Sequence, residues 1–341
     1  MTVFRCQPKS LLLFFNFTWA LQCAGRTLHT QLPILNHSKE NSGKGYGNWR
    51  ITKNGEVNVI NALVKPHNVI FDVGGHHGEW SEIALKAAPS VAAYIFEPVP
   101  TLANHILKAL RGKNFKLFPI ALNNQDGQHD FFVFETEKGP NGQCSLFPKQ
   151  HVSRNPKHRE AQITVQTRTL DSICEEHQIK YIDMLKIDAE GAELAILQGS
   201  KKLLNKHAIG AIQFEYGLKY KDSGTKLADI FALLIPHDFK FFRILPNGLL
   251  PIEVFSESLE CYRDTNYLAL QPKKFALVTK NAFYKRKKNA KGDTCHHHCV
   301  PSRSHNIVWQ TRTFPPNKHP EERDEFTQKN RSANRRMQHR Q

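Results

Sequence analysis

The chain lacks a dinucleotide fingerprint, a P-loop, a compact cysteine framework and an apolar run long enough to span a bilayer. Each absence removes a class of protein. The seven cysteines, at positions 6, 23, 144, 174, 261, 295 and 299, are scattered over 341 residues and cannot form the disulfide scaffold of a small secreted domain. A reducing, cytoplasmic location fits this usage best. The apolar run Leu11 to Leu21 follows Arg5 and Lys9 and resembles the hydrophobic region of a signal peptide, but no convincing cleavage site follows it. It is also shorter than the about 20 apolar residues that a membrane-spanning helix requires. Residues 1–25 therefore leave membrane association or the secretory pathway as the alternative location. Only on that route would the sequons Asn16-Phe17-Thr18 and Asn36-His37-Ser38 matter. Cys295-His296-His297-His298-Cys299 offers zinc-ligating side chains, but no second ligand pair at finger-like spacing accompanies it.

With 40% hydrophobic residues, the chain has enough material for one sizeable α/β core. The net charge of +16 points towards nucleic acid or an anionic membrane, but its distribution weakens that inference. Residues 283–341 hold 14 Lys/Arg against 5 Asp/Glu, so more than half of the excess lies in one terminal stretch. That stretch is poor in apolar residues and carries the clusters Lys285-Arg286-Lys287-Lys288 and Arg335-Arg336. Such composition predicts a basic, mostly disordered tail over 276–341, with nucleic-acid binding through it the less favoured reading. A leader over 1–43, signal-like or disordered, and one folded domain over 44–275 complete the expected organisation.

Within that domain, strands and helices alternate. Val69 to Val73 is a nearly continuous apolar run, as in a strand buried on both faces of a parallel sheet. Helical periodicity follows from Glu79, with Trp80, Ile83, Ala84 and Ala87 on one face, until Pro89 stops it. Further strands are expected over Val91–Phe96, Phe115–Ala121, Ile182–Ile187, Ala208–Phe214, Phe239–Leu245 and Tyr267–Leu270, with helices over Thr101–Leu110 and from Thr225 to about Ile235. Residues 122–168 read as an irregular insertion around the loop Gly139-Pro140-Asn141-Gly142. The pattern predicts a doubly wound, mostly parallel, seven-stranded Rossmann-like sheet.

The chemistry concentrates at one edge of that sheet. Asp72, Glu97, Asp188 and Glu215 stand at the ends of four apolar runs, where open α/β sheets bind their ligands. Glu97 lies 23 residues beyond Gly74, the spacing at which an acid accepts hydrogen bonds from ribose hydroxyls. The turn Gly74-Gly75-His76-His77-Gly78 lets backbone approach a ligand without a Cβ in the way. His76 stands where the second glycine of G-x-G-x-x-G should fall, and an acid directly before the turn would repel phosphates. The arrangement suits a cofactor with a cationic end, and S-adenosylmethionine carries a sulfonium and an amino group.

Several stretches together resemble one family, the FkbM-type S-adenosylmethionine-dependent methyltransferases. They are Asp72-Val73-Gly74-Gly75-His76-His77-Gly78, Phe96-Glu97-Pro98, Thr169-Leu170-Asp171, Leu185-Lys186-Ile187-Asp188-Ala189-Glu190-Gly191-Ala192-Glu193, Phe214-Glu215 and Asn266-Tyr267-Leu268-Ala269. The resemblance covers roughly Gly45 to Gln271, and the string after the fourth strand is its most specific part. In the family the turn usually reads Gly-Ala-Asn, and Gly75 and His76 depart from that pattern; Gly75 reads as sterically harmless.

The resemblance implies a class I methyltransferase fold with S-adenosylmethionine as cofactor. Asp72 and the Gly74, Gly75, His76 and Gly78 backbone would hold its methionine end, Glu97 its ribose, and the turn at Ala121 and Leu122 its adenine. Asp188 and Glu190 would face the methyl group and the acceptor, or else cap the following helix and orient Lys186. The expected reaction is in-line methyl transfer to a hydroxyl of a sugar or other small molecule, with Asp188, Glu215 and His77 as candidate bases in that order. No metal is expected, although Asp188 and Glu190 have the oxygen chemistry for Mg²⁺. The acceptor pocket would come from the insertion at Cys144-Ser145-Leu146-Phe147 and from Gly217 to Ser223. An RNA methyltransferase gripping its substrate with the basic tail, and a non-catalytic binding module, are the alternative functions.

Overall fold

The computed structural model describes Leu32, Ile34, Leu35 and residues 45–136, 139–140, 142–148 and 159–275. The expected tail over 276–341, its cysteine-histidine cluster, both sequons and the apolar run at 11–21 lie outside the described residues. Among the described residues, no helix is long and apolar enough to cross a membrane.

Twelve strands form two sheets. In chain order they are β1 Val69–Val73, β2 Ala92–Phe96, β3 Phe115–Phe118, β4 Ala121–Leu122, β5 Gly127–Thr136, β6 Gly139–Pro140, β7 Arg159–Arg168, β8 Met184–Ile187, β9 Ala211–Tyr216, β10 Lys240–Leu245, β11 Gly248–Ile252 and β12 Thr265–Leu270. The main sheet has the order β11-β10-β12-β9-β8-β1-β2-β3, and the smaller one β4-β7-β5-β6. Pairing is parallel from β9 through β8 and β1 to β3, and antiparallel where β12 joins β9 and β10.

The main sheet therefore holds eight strands rather than seven. The added strand, β11, pairs with β10 across the short turn at Pro246-Asn247, and its Pro251 obscured it as a strand in the sequence. The third strand also ends at Phe118, before Pro119, and Ala121 begins a strand of the smaller sheet instead. The insertion is ordered by the long antiparallel pair β5–β7, whose Phe131, Val133 and Val165 pack in a small core with Val99, Leu102 and Ala121.

Apolar residues on alternate positions of the central strands go to opposite faces. Phe71, Val73, Leu185, Ile187, Ile212 and Phe214 join one core, and Ile70, Met184 and Ala211 join the other. Helix Glu79–Ala87 brings Trp80, Ala84 and Leu85 to the second core, and helix Leu227–Leu234 brings Leu227, Ile230, Phe231 and Leu234 to the first. Both faces being covered, the sheet is doubly wound as expected. The folded domain begins before residue 44: Leu32 is buried in the second core, and Ile34 and Leu35 run along Leu249 of β11.

The chain leaves β1 towards β2 and β3 on one side and returns to β8 and β9 on the other. The strand order reverses between β1 and β8, and a crevice opens at the carboxyl ends of such neighbours.

Candidate active site at the carboxyl edge

A cleft occupies that position, at the carboxyl ends of β1 and β8. Its floor and walls come from Gly74 and His76 after β1, Glu97 after β2, Ala121 and Leu122 of β4, and Asp188 and Glu190 after β8. Cys144 and Leu146 of the insertion close one side. Ser145 anchors that wall by donating its hydroxyl hydrogen to the Glu190 carbonyl at 2.8 Å.

The backbone that makes the cleft is unusually constrained. Gly74 has φ of 76°, and a Cβ there would stand 1.9 Å from the Asp188 carbonyl oxygen, so the turn crosses the end of β8 where only glycine fits. Gly75 is tightly enclosed: a Cβ would fall 2.5 Å from Ile95 Cγ2 and 3.1 Å from Ile106 Cδ1, so both side chains would have to shift to admit one. His76 and Glu190 both carry positive φ, 49° and 54°, and both line the cleft. Each such residue costs about 1 to 3 kcal/mol, strain that concentrates at functional sites.

The turn's amides are engaged within the protein. Those of Gly74 and Gly75 both donate to the Phe96 carbonyl at 3.0 Å, that of Gly78 to the Gly75 carbonyl, and that of His76 to Glu97 Oε2 at 2.8 Å. The expectation that this backbone cradles the ligand is therefore corrected for these four amides, which instead fix the shape of the shelf. Glu97 accepts a second bond from the Val99 amide at 3.0 Å. Burial still outweighs both bonds and pushes its carboxyl up to about 7. The His76 ring is held down to about 4, first by burial and then by His77, and is neutral at physiological pH. Its Nε2 is buried with no hydrogen-bond partner among the described residues, close to where Gly142 passes. An orphaned polar atom costs about 1 to 3 kcal/mol, which a ligand can offset by bonding it.

Asp72 sits below the cleft rather than on its surface. Strand register sets it beside Lys186, whose Nζ lies 3.1 Å from Oδ1, while the Ser81 hydroxyl donates to Oδ2 at 2.7 Å. Only 1% exposed, Asp72 is the partner of a buried ammonium, not a surface contact.

Past β8 and β9 the acids gather around a lysine with no motif of its own. Lys219 Nζ lies 3.1 Å from Asp188 Oδ1 and 3.5 Å from Glu190 Oε1, and also bonds Glu215. Its side chain is 7% exposed. Burial alone would lower the Lys219 ammonium, but Glu190, Glu215 and Asp188 hold it well above its ordinary value. Burial would likewise raise Asp188, yet Lys219 and Lys186 overcome it and keep that carboxyl well below the usual range. Glu215 moves the opposite way, pushed up by burial and by the charge of Asp188.

The candidate residues thus separate. Gly74, His76, Glu97, Ala121, Leu122, Asp188 and Glu190 meet at the cleft. Glu215 does not line it, but stands directly beside Asp188 and shares Lys219 with it. His77 turns away: it is exposed and stacks edge-on between His76 and His105, which removes it from the place of a base. The helix after β8 starts at Glu193, and that residue's own carboxylate bonds the Ala189 and Gly191 amides, so Asp188 and Glu190 are not its caps. In sequence, the one signal for Lys219 is its position four residues after Glu215.

A family model described as the methyltransferase FkbM domain matches residues 72–241. The chain is 30% identical over 155 residues to the 2-O-methyltransferase NoeI of Sinorhizobium fredii, a match covering 43% of this chain and 63% of that protein. The chain therefore spans less than two thirds of that relative's length. Among solved structures, Aeropyrum pernix fibrillarin with natively bound S-adenosyl-L-methionine is 11% identical, with 61% of this chain and 68% of that one covered and a TM-score of 0.33. A SAM-dependent methyltransferase from Aquifex aeolicus is 10% identical, with coverages of 65% and 92% and a TM-score of 0.34. Scores at this level carry no argument about the chemistry of this cleft.

Proposed function

The chain belongs, through residues 72–241, to the methyltransferase FkbM domain family, and from that premise we propose that it is an S-adenosylmethionine-dependent O-methyltransferase acting on a hydroxyl of a sugar or other small molecule. The observation that carries the reading is the cleft at the β1–β8 switch point. Acidic side chains around it outnumber the two buried lysines, Lys186 and Lys219, and such a surplus favours a cationic ligand. The His76 Nε2, buried and without a hydrogen-bond partner among the described residues, fits a bound cofactor as well. That the 30%-identical relative is named a 2-O-methyltransferase supports oxygen as the atom modified.

Bound there, S-adenosylmethionine would supply an electrophilic methyl group for transfer to the acceptor oxygen, with the thioether S-adenosylhomocysteine as leaving group. The chain's residues bind, align and relay a proton. Glu97, in its ionised form, accepts from ribose hydroxyls, and Ala121 and Leu122 wall the adenine side. Asp72 acts at one remove, by fixing Lys186 and thereby the floor. Asp188, ionised and 37% exposed in its side chain, aligns the acceptor hydroxyl by accepting its hydrogen bond, and because its carboxyl is held well below the usual range it passes the proton on to solvent as the C–O bond forms. Holding two reactants in register can supply about 7 to 11 kcal/mol of the barrier, so alignment carries most of the rate.

The test is incubation of the full chain with methyl-labelled S-adenosylmethionine and a panel of hydroxyl-bearing glycans and glycolipids, followed by location of the label. Label on a sugar oxygen is expected. Label on RNA, or a protein that binds no S-adenosylmethionine, would overturn the reading.

A further inference from the structure

Lys219 is a buried charge beside the cleft that cofactor binding does not explain. Lysine is almost never this deeply buried unless paired, and Lys219 faces three carboxylates at once. Asp188, Glu190 and Glu215 each bring one oxygen within 4.8 Å of the others, a set of hard donors of the kind that holds a divalent cation. The lysine ammonium reaches all three. Its 3.1 and 3.5 Å contacts with Asp188 and Glu190 are hydrogen-bond and ion-pair distances, longer than the about 2.0 to 2.6 Å of Mg²⁺ or Ca²⁺ coordination.

We propose that Lys219 is a resident substitute for a divalent cation: a positioning residue that holds Asp188, Glu190 and Glu215 in one constellation, makes the site independent of metal, and leaves a divalent-cation site when it is removed. Two features favour substitution over a simple structural ion pair. The lysine joins acids from two neighbouring strands' ends, two after β8 and one on β9. Two of those acids line the cleft, so any shift in the ammonium moves groups that face the ligand. The catalytic consequence rests on the methyltransferase reading; the cation-binding consequence does not.

The experiment uses the full chain, wild type and Lys219→Ala, with Mn²⁺ as the probe followed by electron paramagnetic resonance and calorimetry. Wild-type methyl transfer is expected to be insensitive to EDTA. Lys219→Ala is expected to bind one Mn²⁺ at least tenfold more tightly than wild type, to lose that binding when Asp188→Asn is added, and to regain at least tenfold of its lost transfer activity on adding Mn²⁺ or Mg²⁺. If Lys219→Ala binds Mn²⁺ no better than wild type, or if EDTA abolishes wild-type transfer and Mg²⁺ restores it, the substitution is overturned. The EDTA arm uses wild type and stands even if the variant does not fold. Mn²⁺ binding without transfer in any form would defeat the methyltransferase reading alone, and transfer without Mn²⁺ binding by Lys219→Ala would defeat the substitution alone.

Discussion

The two sides of the cleft solve the problem of buried charge in opposite ways. On the seam of β1, β8 and β9, carboxylates and ammonium groups alternate: Asp72 with Lys186, Lys186 with Asp188, and Asp188 with Lys219 and then Glu215. On the shelf between β1 and β2, among the described residues, Glu97 is hydrogen-bonded by backbone amides and the His76 Nε2 has no hydrogen-bond partner. The seam is compensated within the protein and so sets geometry. The shelf is left short of partners and so is ready to bind. Buried ion pairs are costly to break but weak as net stabilisers, whereas an under-satisfied polar group gains most from a ligand.

This contrast is broken most severely at the seam. Asp72→Ala leaves the Lys186 ammonium buried without its closest partner and is expected to cost about 3 to 5 kcal/mol, read as a lowered urea midpoint. A loss under about 1 kcal/mol would mean that the pair is not buried as described. Gly74→Ala, at the junction of the two sides, forces a Cβ onto the Asp188 carbonyl at positive φ and is expected to cost about 3 kcal/mol in the same assay. Gly75→Ala requires only that Ile95 and Ile106 shift, and about 1 to 2 kcal/mol is expected. At the shelf the effect moves from stability to binding. Glu97→Ala removes an acceptor able to take two charge-assisted bonds, and calorimetry should show S-adenosylmethionine affinity falling about 100-fold, equivalent to about 2.7 kcal/mol. An unchanged affinity would remove Glu97 from the site.

Much of this was legible in the sequence because continuous apolar runs such as Val69–Val73 and Met184–Ile187 are buried on both faces and leave no alternative to a central strand. The cleft's place at the carboxyl edge of the sheet, with Glu97 and Asp188 in it, followed from acids standing at strand ends, whereas Glu190 came from the family resemblance. What escaped has a common physical cause, since it depends on contacts between distant segments. β11 is short, contains a proline and is held by pairing with β10. Asp72 reads as a ligand contact until register places Lys186 beside it. The tight enclosure of Gly75 comes from Ile95 and Ile106, neither of them its neighbour in sequence. Lys219 lies in the charged stretch Lys219-Tyr220-Lys221-Asp222, which has the composition of a solvated surface, and only the fold turns it inward.

The central claim is that the under-satisfied shelf is where the cofactor docks, and its most direct test is calorimetric titration of the full chain with S-adenosylmethionine between pH 5.5 and 8.5. The Glu97 carboxyl stands at about 7 in the free protein, and its ionised form is the one that accepts from ribose hydroxyls. Affinity should therefore be full above pH 7 and fall by up to about tenfold for each pH unit below it, with proton release on binding in the neutral range. Affinity that is flat across this window, with no proton released, would contradict the account.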